Sequence, residues 1–122
     1  MKPAIYGALK VVQKCLIVSI ATDWDDELVL ALQKEALRQL NRQNVSRLVI
    51  DITAVDSVDS LFTRYICDTA RMASMLDVDV IVAGMNPGVA ASIVGLNLDF
   101  EGVTCVGRID DALLGVAESG AY

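Results

Sequence analysis

A chain of 122 residues, 54% hydrophobic and 21% charged, has room for one folded domain and is too apolar for a disordered segment. It carries 10 basic and 16 acidic residues, a net charge of −6, with the basic ones dispersed; the electrostatic footprint of a nucleic-acid or anionic-lipid binder is missing, so a protein partner is expected. The absence of histidine excludes a Ser-His-Asp or Cys-His nucleophile pair, a histidine metal site and a phosphohistidine relay.

No run of 18 apolar residues offers a membrane span, and Lys2-Pro3 does not open a signal peptide. Cys15, Cys67 and Cys105 are odd in number, widely spaced and set in apolar surroundings. They are expected to be small buried hydrophobes in a reducing compartment, without zinc-type spacing, which places the chain in the cytoplasm with no metal.

In chain order, short β-like runs come first: Ile5-Tyr6, residues 9–12 and residues 15–20, punctuated by Gly7 and the Gln13-Lys14 pair. They predict a small antiparallel hairpin whose last strand is covered on both faces. Thr22-Asp23 then marks a helix start, with Asp25, Asp26 and Glu27 in the first turn. Leu28, Leu32, Ala36 and Leu40 recur at helical spacing and predict an amphipathic helix over roughly residues 25–41.

Residues 47–52 read as a buried parallel strand. A helix follows over about residues 60–76, with Leu61, Tyr65, Ala73 and Leu76 as expected core contacts. Residues 78–83 form another buried strand. Asn86-Pro87 caps and opens a short helix striped by Val89, Ile93 and Leu96. Residues 103–106 make a last strand, and Asp110 caps a terminal helix carrying Leu113, Leu114 and Val116. The prediction is a single α/β domain over residues 1–122: a mixed β-sheet with an N-terminal hairpin and about four α-helices packed against it.

The stretch RLVIDITAVDSVDSLFTRYI, residues 47–66, holds the candidate site. An apolar strand runs into Asp51, a short polar loop follows, and Asp59-Ser60 stands where the next helix opens. Ser57, Asp59 or Ser60 could simply cap that helix. A hydroxyl exposed at a helix start could equally be a switch, because a phosphoryl group there adds about −1.5 to −2 charge without touching the core. Ser60 is the first candidate for modification and Ser57 the competitor. Thr53 and Thr63 are further hydroxyls expected near the same surface, and Asp51, Asp56 and Asp59 make it acidic. The loop carrying Asn86 could add to that surface. Asp51 resembles a receiver phosphoacceptor in position, but the acidic pair and the lysine that a receiver needs have no counterparts. No GxxxxGK[ST] loop cradles a nucleotide phosphate, and no cofactor is expected.

The order strand, acidic residue, Asp-Ser at a helix start resembles the STAS domain family of anti-sigma-factor antagonists, over nearly the whole chain. Many antagonists read Asp-Ser-Ser-Gly here; this chain has Asp59-Ser60-Leu61-Phe62, which favours the stressosome branch of the family. The resemblance implies a non-enzymatic regulatory scaffold that sequesters a serine/threonine switch kinase and releases it when Ser60 is phosphorylated. Its implied partners are that kinase, paralogous STAS proteins with sensory N-terminal domains, a resetting phosphatase and further copies of this chain. The implied alternative is a direct antagonist that binds an anti-sigma kinase. The implied partner-binding set is Asp51, Thr53, Asp56, Ser57, Asp59, Ser60, Thr63 and Asn86, with no catalytic residue.

Overall fold

The computed structural model describes residues 9–20, 24–42, 44–56, 58–95 and 103–108. In chain order they form strands β1 (Leu9–Val12) and β2 (Cys15–Ser19), helix α1 (Asp26–Arg42), strand β3 (Arg47–Asp51), helix α2 (Ser60–Ser74), strand β4 (Asp79–Ala83), helix α3 (Pro87–Gly95) and strand β5 (Val103–Val106). The expected Ile5-Tyr6 run, the Thr22-Asp23 start, Leu96 and the terminal helix from Asp110 lie outside the described residues. Three helices are therefore described where about four were expected.

The five strands form one sheet in the order β1-β2-β3-β4-β5. β1 is antiparallel to β2, and β2 through β5 are parallel. Right-handed crossovers between parallel strands laid down in one direction keep successive helices on one face. The core agrees with this. Leu16, Val18, Leu48, Ile50, Val80 and Val82 point to one face and pack with residues of all three helices. Cys15, Ile17, Val49, Ile81 and Ala83 alternate onto the other face in a second cluster. β2, β3 and β4 are thus buried on both faces, which is why they read as continuous apolar runs.

The hairpin turns on Gln13 and Lys14, both with positive φ (51° and 64°). Two such residues between the paired Val12 and Cys15 make the tight turn whose twist matches its strands, here without the usual asparagine or glycine. α1 opens on Asp25, whose Oδ1 accepts the Leu28 N–H at 2.7 Å. Val29, Leu32, Ala36 and Leu40 form its buried stripe, with Leu28 only partly buried.

α2 departs from expectation in phase. Its buried residues are Phe62, Thr63, Ile66, Cys67, Thr69, Ala70 and Ala73. Leu61 and Leu76, expected in the core, are exposed, and Tyr65 is half-buried. The cap at Asp59 and the ring of Trp24 set the rotation. Phe62 is fully buried, with its ring centroid 4.7 Å from that of Trp24. This gives a physical reason for Phe62 where Asp-Ser-Ser-Gly chains have glycine: burying an aromatic side chain fully is worth about 1.5–3 kcal/mol.

Candidate functional site

Parallel strands in register bring their carboxyl ends to one edge. Asp51 pairs with Ala83 at the ends of β3 and β4, so the loops that follow leave the sheet side by side. Ile52 continues the ladder, its N–H donating to the Ala83 carbonyl at 2.8 Å. Open α/β sheets place their binding surfaces at this carboxyl edge.

The loop from residue 52 to 59 has its own anchors. One Asp51 oxygen, Oδ1, accepts both the Thr53 N–H at 3.0 Å and the Thr53 hydroxyl at 2.6 Å. The Val55 N–H donates to the Ile52 carbonyl at 2.9 Å, and the side chains of Ile52 and Val55 are buried. Val58 packs against the core at the far end. The polar residues are thereby turned outward, and Asp56, Asp59 and Ser60 are all exposed. Ser57 lies outside the described residues.

Asp59 is the helix cap. Its backbone is extended (φ −112°), and its Oδ1 accepts the Phe62 N–H at 2.8 Å. Its carbonyl accepts the Thr63 N–H and the Thr63 hydroxyl, each at 3.1 Å. Ser60 is the first helical residue, takes no part in this cap and presents its hydroxyl to solvent.

The candidate hydroxyls therefore separate by environment. Thr63 is fully buried, which corrects its expected place on the surface: it reinforces the cap from inside. Thr53 is exposed as a residue, yet its hydroxyl is committed to Asp51 and lies against Gly84. Gly84 has φ +89°, and a Cβ there would fall on Thr53 Oγ1 and lie 2.5 Å from the Thr53 nitrogen and 2.7 Å from its Cα. Only glycine permits this approach. The two loops are thus pressed together, and Gly84 also donates its N–H to the Val106 carbonyl at 3.1 Å. Half-buried Asn86 stands just beyond, where its Oδ1 caps α3 through the Val89 N–H at 2.8 Å.

The arrangement offers an exposed serine on an acidic, well-anchored surface. A Thr53–Asp51 pair looks like a nucleophile and its base, but the same carboxylate oxygen also holds the Thr53 N–H and closes a turn. Among the described residues no group of three or more His, Cys, Asp or Glu could hold a metal ion. A small apolar cleft between α1 and α2 is bridged by Gln33, whose amide donates to Thr69 Oγ1 at 2.8 Å; among the described residues no carboxylate, thiol or cation lines it. No helix among the described residues is long and apolar enough to cross a membrane.

Two features escaped sequence reasoning. The Gly84–Thr53 contact had one available signal, a glycine directly after a buried strand. The tilted Trp24–Phe62 ring contact had another, the chain's single tryptophan beside a helix start.

The family model described as Mlab, STAS domain matches residues 8–104. Among curated proteins, the RsbT co-antagonist protein RsbRD of Bacillus subtilis (strain 168) is 26% identical over 87 residues, covering 71% of this chain and 31% of its own length. RsbT co-antagonist protein RsbRB of the same organism is 24% identical over 97 residues, covering 80% and 35%. The chain thus spans about a third of these relatives. Among solved structures, a serine-to-glutamate variant of RsbS from Moorella thermoacetica superposes with a TM-score of 0.82 at 24% identity, over 93% of this chain and 97% of that one. A chain from the stressosome, described as a signal integration and transduction hub, gives 0.81 at 25% identity, over 93% and 99%. Unphosphorylated SpoIIAA gives 0.70 at 11% identity, over 91% and 95%, a likeness of fold alone.

Proposed function

This chain belongs to the STAS domain family, and we propose that it serves there as a non-enzymatic scaffold of a stressosome-type complex, holding a serine/threonine switch kinase until Ser60 is phosphorylated. The observation that carries the reading is the division of labour at the start of α2. Asp59 caps the helix, which leaves the Ser60 hydroxyl exposed and uncommitted to the fold. Similarity to RsbR-type co-antagonists and to RsbS adds the biological setting.

In the transfer step, Ser60 Oγ attacks the γ-phosphorus of ATP bound to the kinase. The new bond is Oγ–P, ADP leaves with the electron pair of the broken P–O bond, and the hydroxyl proton passes to a base on the kinase. The product carries about −1.5 to −2 additional charge next to Asp56 and Asp59, enough to repel an acidic partner surface and to resist desolvation in an interface. Assembly would involve STAS paralogues with sensory N-terminal domains and further copies of this chain, with a phosphatase resetting Ser60. The setting is the cytoplasm.

The test incubates the protein with the candidate switch kinase, Mg²⁺ and ATP, maps the phosphosite by mass spectrometry and measures kinase retention. Phosphate is expected on Ser60, with retention by Ser60→Ala and release by Ser60→Asp. An unmodified Ser60, with neither substitution changing retention, overturns the reading. A large assembly with sensor paralogues separates the scaffold from a direct antagonist, which would form only a small complex with its kinase.

A further inference from the structure

We infer that Arg64 is the intramolecular partner of a phosphoryl group on Ser60, so that modification adds a negative charge and withdraws an arginine from the same surface. The inference rests on reading Ser60 as the modified residue.

Helix α2 runs unbroken from Ser60 to Ser74, which puts Arg64 one turn after Ser60 on the same side. Residues four apart on a helix have Cβ atoms about 5–6 Å apart, and an anion placed N-terminal to a cation is the favoured order. Both residues are exposed, so neither must leave the core to meet the other.

Arg64 is available for the contact. The next acid along its side of the helix, Asp68, pairs with Arg71 at 3.5 Å. Arg64 itself forms no ion pair among the described residues. In the described part of the loop before the helix, the charged residues are Asp56 and Asp59, with Asp51 behind them at the end of β3. All three are acids. A phosphate on Ser60 would therefore be repelled from the loop side and attracted from the helix side. The guanidinium fork also matches two phosphate oxygens, which a lysine cannot do.

The consequence is a switch with two coupled parts. Unmodified, the surface offers partners a free hydroxyl with a cation one turn away. Modified, it offers a phosphate whose nearest helical cation is already engaged. An acidic partner group that had relied on Arg64 would lose its contact and also meet added negative charge.

The experiment uses the full chain with phosphoserine encoded at position 60 during synthesis, so that no kinase is required. Melting temperatures are measured with serine and with phosphoserine at position 60, each in the Arg64 background and in Arg64→Gln. The change in melting temperature on replacing serine by phosphoserine is expected to be about 2–4 °C less favourable in Arg64→Gln than in the Arg64 chain. Arg71→Gln, on the same exposed face, should not reproduce that difference. The Arg64 Nε–Hε NMR signal should move on phosphorylation and move back in high salt. A coupling below about 0.5 °C, together with an unmoved Arg64 signal, overturns the inference. Because the phosphate is installed without a kinase, that failure is distinct from a kinase that ignores Ser60.

Discussion

Asp59 and Ser60 are neighbours with opposite duties. The carboxylate of Asp59 satisfies the Phe62 N–H and so belongs to the fold, whereas the Ser60 hydroxyl belongs to the surface. Stability measurements should separate them. Asp59→Ala loses the cap and should cost about 1 kcal/mol, within the usual range of about 0.5–2. Ser60→Ala should stay within about 0.5 kcal/mol of the parent chain, as exposed substitutions away from special features do. Urea unfolding with an unchanged m-value reads both. An equal loss from Ser60→Ala would mean that the hydroxyl also caps, and the case for a free acceptor would be lost. Thr63 shows the converse. Its sequence position suggested a surface hydroxyl, yet it is fully buried and holds the Asp59 carbonyl.

At the scale of elements, boundaries follow local chemistry. α2 ends in a left-handed cap: Asp77 has φ +59°, the Val78 N–H reaches back to the Ala73 carbonyl at 3.0 Å, and the Asp77 N–H reaches the Ser74 carbonyl at 3.1 Å. Val78 and Ala73 are both buried, which adds the apolar contact typical of this ending. Glycine is the residue best suited to such a position, because left-handed backbone costs other L-residues about 1–2 kcal/mol. Aspartate reduces that cost, and glycine loses more entropy on folding, so only part of it is recoverable. Asp77→Gly should therefore stabilise the chain by about 0.5–1 kcal/mol. A destabilised Asp77→Gly chain in the same urea assay would show that the aspartate side chain contributes something the cap geometry does not explain. The altered phase of α2 belongs to this scale as well. Periodicity alone admitted a stripe through Leu61 and Leu76, and packing chose the one through Phe62, Ile66 and Ala73.

For the whole molecule, the two-sided burial of β2 to β4 and the exposed edge at β5 sort the cysteines. No disulfide joins the cysteines among the described residues; Cys15 and Cys67 are buried and Cys105 is exposed. The exposure of Cys105 corrects the expectation that all three lie inside, and its cause is the place of β5 at the edge of the described sheet. Burial pushes the Cys15 thiol up, partly opposed by the charge of Arg47, and desolvation pushes Cys105 up as well. Thiol reagents attack the thiolate, so a raised pKa slows both, but only Cys15 and Cys67 also need the protein to open. At pH 7.5 the native chain should label first at Cys105, with Cys15 and Cys67 following only when denaturant is added. Native labelling of Cys15 at a rate similar to Cys105 would contradict the burial of the second sheet face.

By itself the sequence determined the described elements and where the candidate site lies along the chain. The runs that became β2, β3 and β4 are apolar because the strands they form are covered on both faces, and an Asp-Ser pair after β3 marks a helix start because those residue types satisfy free backbone N–H groups. Local patterns of this kind survive in one dimension. Tertiary structure alone decided which hydroxyls are tied into the fold. Buried Thr63, Thr53 held between Asp51 and Gly84, and Ser60 left open differ through contacts with residues up to 31 positions away, as Gly84 is from Thr53. It also decided the rotation of α2, through Trp24, which lies 38 positions before Phe62. Such contacts depend on how parallel strands align their carboxyl ends and how helices settle on one face. Neither is written in the spacing of any single segment.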